Sequence, residues 1–486
     1  MSAAENMTSV EAVKLPYRFA REFGLALSQT DKGVTLHIGD AANRNMIVEV
    51  ARNYDIALIE EVSQEQFDDL LSELYARRSF EEDSEQADAD RIEDDFDAVV
   101  QGVEHAADLL AGDDDAPVIR LLNSLLSEAV RSGASDVHLE PFENNVLVRL
   151  RIDGMLQEIA SLSPKLAPYL VSRIKVMSRL DIAEKRLPQD GRLSLTLGGK
   201  VFDVRVSTLP IRYGERVVMR LLDKDNAFFG LGDLGMAADM RAQFEGALRE
   251  PNGIILVTGP TGSGKTTTLY SALSLMNDTS RNIMTVEDPV EYALHGISQT
   301  QVNPKIGMTF ADGLRSILRQ DPDTVMVGEI RDKETAEIAV QASLTGHVVL
   351  STVHTNSAAA AVTRLMDMGI EPLLLSSSLR LVLAQRLVRR LCPDCKVPDE
   401  NDDIASHKPV GCPSCQNIGY RGRIGIFELL SVDDTVRQMI ADGATEQQIE
   451  AYAFANGGLL AASGHALVAA GETSMAEVFR VARVSA

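Results

Sequence analysis

Apolar residues recur along this chain in two rhythms. Gly253-Ile254-Ile255-Leu256-Val257-Thr258 is apolar and β-branched without interruption, the pattern of a strand buried on both faces. Asn282–Val286, Thr324–Val327 and Val348–Val353 repeat it. Each of these three ends in polar groups: Glu287-Asp288-Pro289-Val290-Glu291, Gly328-Glu329-Ile330-Arg331-Asp332 and His354-Thr355-Asn356. In an open parallel α/β sheet, ligands gather at the carboxyl ends of the strands, so these groups are expected to converge. Helical spacing predicts helices over Thr267–Met276, with Leu269, Tyr270, Ala272, Leu273 and Met276 as its apolar residues, and over Pro117–Arg131. It also predicts one over Leu379–Leu391, where Leu383, Leu387 and Leu391 oppose Arg380, Arg386, Arg389 and Arg390.

Strict alternation predicts strands at Val137–Glu140, Val146–Arg151 and Val201–Ser207, with a turn at Asp153-Gly154. Nearer the start, Leu15–Gly24 reads as a short amphipathic segment, Thr35–Ile38 and Asn45–Val50 as strands, and Ser63–Tyr75 as a helix with Phe67, Leu70, Leu71 and Leu74 on one face. Residues 426–486 read as mostly helical. Ser474-Met475-Ala476-Glu477 fits a capping box before a last helix whose core candidates are Val478, Phe479 and Val481.

These rhythms divide the chain into a small α/β module at 1–75, a linker at 76–115, an α+β domain at 116–225, a nucleotide-binding domain at 235–390, a cysteine-bearing loop at 391–425 and a helical end at 426–486. The linker carries nine acidic residues and one Arg between Glu81 and Asp95, a composition that reads as a flexible spacer. Residues 1–75 fit an ordinary α/β domain and a docking module equally well. With a net charge of −24, the chain is not expected to bind nucleic acid. It has no apolar run near the roughly 18 residues that span a bilayer. The start Met1-Ser2-Ala3-Ala4-Glu5 lacks a basic region before an apolar core, so no signal peptide is expected and a cytoplasmic location is.

Two motifs carry chemistry. Gly259-Pro260-Thr261-Gly262-Ser263-Gly264-Lys265-Thr266, followed by Thr267, fits the phosphate-loop pattern and lies between a predicted strand and a predicted helix. Its glycines let backbone N–H groups turn inward around a phosphate, and the helix N-terminus adds partial positive charge. Lys265 reaches the β- and γ-phosphates of ATP, and Thr266 offers its hydroxyl to Mg²⁺. The second motif is Cys392-Pro393-Asp394-Cys395 and Cys412-Pro413-Ser414-Cys415. These are the only four cysteines, and sixteen residues separate the pairs. Two such knuckles suit tetrahedral Zn²⁺, and four protein ligands leave no open catalytic position. Arg205 and Arg220 stand out because arginines near a nucleotide can neutralise charge on the transferring phosphate. By themselves they fit ordinary surface arginines as well.

From about residue 116 onward the chain resembles the secretion ATPase superfamily of type II secretion and type IV pilus systems. The resemblance rests on Ala134–Pro141, Arg205–Pro210 with Gly214–Arg220, Leu318–Asp323 through Gly328–Asp332, and Thr345–His347 to His354–Asn356. The tetracysteine motif points to its assembly-type branch. Leu15–Ala20 resembles the start of the type II secretion ATPase, general secretion pathway protein E. The resemblance implies a RecA-like ATPase domain preceded by a PAS-like domain, with ATP between them, in a hexamer. In that frame Lys265 and Thr266 hold the phosphates and Mg²⁺, and Glu287 polarises the attacking water, with Asp288 and Glu291 as alternatives. Glu329 organises Mg²⁺, Arg205 and Arg220 reach the γ-phosphate, His354 senses it, and Arg315 and Arg331 serve between subunits. The implied partners are an inner-membrane secretion protein, bound through residues 1–75, and a membrane platform. The implied task is pseudopilus assembly for export across the outer membrane. The rival readings are a type IV pilus extension ATPase, a nucleic-acid translocase and a non-hydrolysing regulator. The sixteen-residue spacer is shorter than in many relatives.

Overall fold

The computed structural model describes residues 116–197, 200–223, 230–399, 406–455 and 457–482. Before 116 it describes 15, 19–20, 23–30, 33–39, 42, 44–54, 56–63, 66–67, 70, 96 and 99–100. The chain forms two compact units, Met1–Asp223 and Lys224–Ala486.

In the first unit, β1 (Leu25–Thr30) and β2 (Gly33–Ile38) form an antiparallel hairpin, and β3 (Ile56–Glu61) lies parallel to β2. Two consecutive parallel strands need a crossover element between them. The helix Arg44–Asn53 supplies it, in place of the strand expected at Asn45–Val50. Met46, Ile47 and Val50 recur at helical spacing and pack against Leu25, Leu27, Leu36 and Phe67. That packing outweighs the β-branching of Ile47 and Val48. Of the expected helix Ser63–Tyr75, Gln66, Phe67 and Leu70 are helical and Phe67 is buried. Residues 71–75 lie outside the described residues.

The second sheet of this unit has six strands: β4 (Ala134–Pro141), β5 (Val146–Ile152), β6 (Met155–Leu162), β7 (Gln189–Leu197), β8 (Lys200–Ile211) and β9 (Gly214–Asp223). Their order is β6-β5-β4-β9-β8-β7, antiparallel throughout. Val146, Val148 and Leu150 alternate into the core, where the helices Ala116–Arg131 and Ala167–Met177 bring Leu121, Leu125, Leu170 and Ile174 against them. This is the α+β arrangement expected. Phe96, Val99 and Val100 also pack on this core, so the segment read as a spacer contributes apolar contacts near its end. Most of 76–115 lies outside the described residues.

The second unit is built on a seven-stranded sheet of β10 (Gly253–Thr258), β11 (Ile283–Glu287), β12 (Ser298–Gln301), β13 (Thr324–Val327), β14 (Val348–Val353), β15 (Leu379–Leu391) and β18 (Tyr420–Ser431). The two-residue strands β16 (Val397–Pro398) and β17 (His407–Lys408) pair separately. The order is β12-β11-β13-β14-β10-β15-β18, parallel except for β18. Both faces are buried. Ile255, Val257, Met326 and Leu350 enter one core, whereas Ile254, Leu256, Val325 and Val349 enter the other.

β15 replaces the helix expected at Leu379–Leu391. Residues spaced by four share a face in a helix, and because four is also a multiple of two they share a face in a strand. Leu381 and Leu383 join one core and Val382, Ala384 and Val388 the other, which no amphipathic surface helix could do. The expected arginine stripe is thereby divided. Arg386 is buried, and Arg390 is exposed.

Among the described residues, four helices follow β18: Asp434–Ala441, Glu446–Ala453, Leu460–Ala469 and Met475–Val481. Ser474 caps the last of these by accepting from the Glu477 N–H. The Glu477 side chain does not close the expected capping box. It accepts from Arg389 and Arg480 instead. Val478 is buried, but Phe479, expected in the core, is 56% exposed. Among the described residues, no helix is long and apolar enough to cross a membrane.

Candidate nucleotide-binding site and metal centre

β10 ends at Thr258, and the loop Gly259–Gly264 leads into the helix Lys265–Met276. Gly259 has φ 150°, and a Cβ there would lie 2.4 Å from the Gln385 carbonyl oxygen. Gly264 has φ 86°, where a Cβ would lie 2.8 Å from Gln385 Nε2. Only glycine fits both places, because β15 runs directly beneath the loop. Lys265 Nζ donates to the carbonyls of Gly259 at 2.9 Å and Pro260 at 3.0 Å. Burial lowers the Lys265 pKa to about 8; Glu329 acts against this and Arg386 adds to it. Pro260, Thr261, Gly262 and Thr266 are exposed, Thr267 is half-buried, and Ser263 is buried. The Thr266 hydroxyl at the start of the helix is therefore open to a ligand.

The polar strand ends do converge, in two clusters. In the first, Glu329, just past β13, pairs with Arg331 and lies 3.3 Å from His354 Nε2. Its charge also reaches Lys265. Thr258 Oγ1 lies 2.7 Å from Thr355 Oγ1 and accepts from the Thr355 N–H at 3.0 Å, which fastens the end of β10 to the loop carrying His354. His347 lies at the other end of β14, with Nδ1 2.8 Å from the Ala342 carbonyl oxygen. The segment resembling a histidine box is thus split by a strand.

In the second cluster, Glu287 closes β11 at 3% exposure. Its carboxylate accepts from the Tyr270 hydroxyl, from Thr285 Oγ1 at 2.5 Å and from Gln299 Nε2 at 3.1 Å. Burial raises its pKa against the pull of these three donors. Tyr270, on the helix that follows the phosphate loop, also accepts from the Glu291 N–H at 3.3 Å. A buried phenol needs such partners, a signal that a purely apolar reading of Tyr270 passes over. Asp288 contributes to the field that holds Arg331 charged.

The arginines divide. Arg315 is held on the surface by Glu334 and Asp312. Arg205 and Arg220 face each other in register on β8 and β9, and Arg220 Nε donates to Asp136 at 3.0 Å. Gln385 beneath the loop escaped the sequence reading, and Arg386, expected on the polar face of a helix, also lies beneath the loop. Two polar residues in the middle of an apolar run are their only signal. Thr268 Oγ1 donates to Gln385 Oε1 at 2.7 Å.

The four cysteine sulfurs lie within 4.8 Å of one another. The separations Cys392–Cys412, Cys395–Cys415 and Cys412–Cys415 are 3.9, 3.8 and 3.7 Å. Tetrahedral Zn–S bonds of about 2.3 Å require roughly 3.8 Å between sulfurs, so the cluster fits the ion. Backbone N–H groups of Gly411, Cys412 and Gly419 point at the sulfurs of Cys395 and Cys415. Burial alone would raise the Cys415 thiol, but the N–H groups of Cys412 and Gly419 bring it down to about 6.

A family profile described as "Type II/IV secretion system protein" matches residues 111–480, and a second, for an N-terminal domain of "GSPII protein E", matches residues 14–75. The chain belongs to the type II secretion ATPase family. It is 52% identical over 484 residues to type II secretion system protein E of Aeromonas hydrophila, covering 97% of this chain and 96% of the relative. It is 51% identical over 489 residues to type II secretion system ATPase E of Vibrio cholerae serotype O1, covering 97% of each. The crystal structure of the pilus retraction motor PilT with bound ADP aligns at TM-score 0.53 and 27% identity, over 74% of this chain and 96% of that one. The Legionella pneumophila ATPase DotB aligns at TM-score 0.57 and 22% identity, over 74% and 94%, and so shares the fold. As a member of this ATPase family the chain hydrolyses ATP, and the family's chemistry uses Mg²⁺.

Proposed function

We propose that this ATPase is a cytoplasmic hexameric motor that drives pseudopilus assembly, and thereby export across the outer membrane, by type II secretion. The observation that supports the site is the meeting of Lys265, Glu329 and His354 at one end of the parallel sheet, beside an exposed Thr266. ATP occupies Gly259–Thr267, with Thr266 and Glu329 holding Mg²⁺, which supplies Lewis-acid stabilisation of the phosphates. Lys265 neutralises the β- and γ-phosphates, and Glu287 accepts the proton of the attacking water. His354 responds to the γ-phosphate through Glu329. Zn²⁺ at Cys392, Cys395, Cys412 and Cys415 is structural. Residues 1–75 dock on the cytoplasmic part of an inner-membrane secretion protein, which supports peripheral membrane attachment. The profile match at residues 14–75 favours type II secretion over the pilus extension reading.

Lys265→Ala tests the site. ATP turnover should be abolished, and secretion of a type II cargo lost in cells carrying this variant. Wild-type turnover in Lys265→Ala would overturn the assignment.

A further inference from the structure

Among the described residues, Arg386 is a buried cation whose hydrogen bonds all go to carbonyl oxygens. It lies on β15 two residues past Ala384, the partner of Thr258 in the parallel register, and so just where β10 gives way to the phosphate loop. Its residue is 8% exposed. Nη1 donates to the Gln385 carbonyl at 3.1 Å, and Nη2 donates to the Asn356 carbonyl at 2.9 Å, with Asn356 Oδ1 at 3.4 Å. A Cβ added to Gly259 would meet Nη1 at 3.1 Å. One guanidinium therefore lies against the first residue of the phosphate loop and grips the loop that carries His354.

Among the described residues, no carboxylate lies within ion-pair distance of it. Glu428 acts on it from farther away, and that carboxylate accepts from the N–H groups of Ala358 and Leu460. Lys265 shares the same field. Glu329 acts on Lys265 and Glu428 on Arg386, but among the described residues neither carboxylate lies within ion-pair distance of its cation, so the two buried cations are only partly offset. The bound phosphates supply the remaining charge if the loop is the ATP site, the reading on which this inference rests.

We infer that Arg386 is a positioning residue of the nucleotide site: its planar fork couples the phosphate loop to the His354 loop and makes the site distinguish a bound γ-phosphate from its absence. Lysine keeps the charge but cannot bridge two loops with a rigid fork. The test compares Arg386→Lys, Arg386→Gln and the parent in the full chain. The readouts are kcat and KM for ATP, affinities for ADP and for a non-hydrolysable ATP analogue, and thermal stability.

Arg386→Lys should bind ADP about as tightly as the parent, lose most of the preference for the analogue over ADP, and drop kcat about tenfold or more with little change in KM. Arg386→Gln should lose that preference and also weaken both nucleotides about tenfold, because the charge is gone. Full kcat in Arg386→Lys, or an equal loss of ADP and analogue affinity in that variant, would overturn the inference. Lys265→Ala separates the two levels. If it hydrolysed ATP as the parent does, the site reading would be at fault; if it lost turnover while Arg386→Lys behaved as the parent, only the role of Arg386 would fall.

Discussion

Glu287 and Glu477 are both almost fully buried, at 3% and 2% exposure, yet their surroundings prepare them for opposite work. Around Glu287 every donor is neutral: Tyr270, Thr285 and Gln299. Burial there wins, and the pKa rises. Burial also acts on Glu477, but two arginines and the Arg389 N–H outweigh it and bring the pKa down to about 2. A buried carboxylate among neutral donors is poised to take a proton. One between guanidiniums is a fixed anion that joins elements, here β15 to the last helix. Arg389 also lies over the Tyr420 ring at 4.1 Å, and Tyr420 shares a hydrogen bond with Ser474, so the seam ends close to Cys392.

The largest expected effect is on turnover. Glu287→Gln keeps the shape but cannot accept a proton, and ATP hydrolysis should fall by about 10²–10⁴ with the melting temperature little changed. Glu477→Gln, measured in the same assay, should hydrolyse at close to the parent rate while folded. Comparable losses in both variants would erase the contrast.

Stability should show the reverse order. Glu477→Ala removes the buried carboxylate that Arg389 and Arg480 share and should cost roughly 3 kcal/mol in urea unfolding, the lower end of the loss when one partner of a buried pair is removed.

Acid provides a sign test. Glu477 is depressed in the folded state, so its contribution is present above the ordinary Glu value of 4.5 and is lost as pH falls through about 2. Glu287 is raised, so its contribution is complete below 4.5 and is lost as pH climbs through its folded value. Between pH 4.5 and 2, the stability slope of Glu477→Gln should be flatter than that of the parent. The slope of Glu287→Gln should differ from the parent's above pH 4.5. Matching slopes in all three proteins would show that the surroundings do not set these charges.

Tyr270→Phe removes one neutral donor and should raise the Glu287 pKa further. A fall in kcat of about tenfold is expected, near the worth of one hydrogen bond to a charged group. The smallest effect on the sheet is expected from chelation. Addition of a metal chelator should raise amide exchange in residues 392–399 and 406–419 while Ile426 and Phe427, in the sheet core, stay protected.

The nucleotide loop was legible because its chemistry is local: glycine spacing, a lysine and a strand before it are enough. The cysteine cluster was legible for the same reason. Glu287 and Glu329 could be placed at strand ends from the pattern alone, but the pattern did not show that they belong to different clusters. That depends on Tyr270 and Gln299 reaching Glu287 from other elements, whereas Arg331 and His354 reach Glu329.

By itself the sequence determined the glycine-rich loop between a strand and a helix, the two cysteine pairs that cluster, the polar groups at the strand ends of residues 253–356 and an α+β domain before them. The tertiary structure alone decided that Leu379–Leu391 is a strand, that Arg44–Asn53 is a helix, and that Glu477 abandons its capping box for Arg389. A four-residue apolar spacing satisfies both helical and strand periods, so neighbours must choose between them. β10 and β18 make that choice by pairing with β15 on both edges, and it is this pairing that sets Gln385 and Arg386 beneath Gly259.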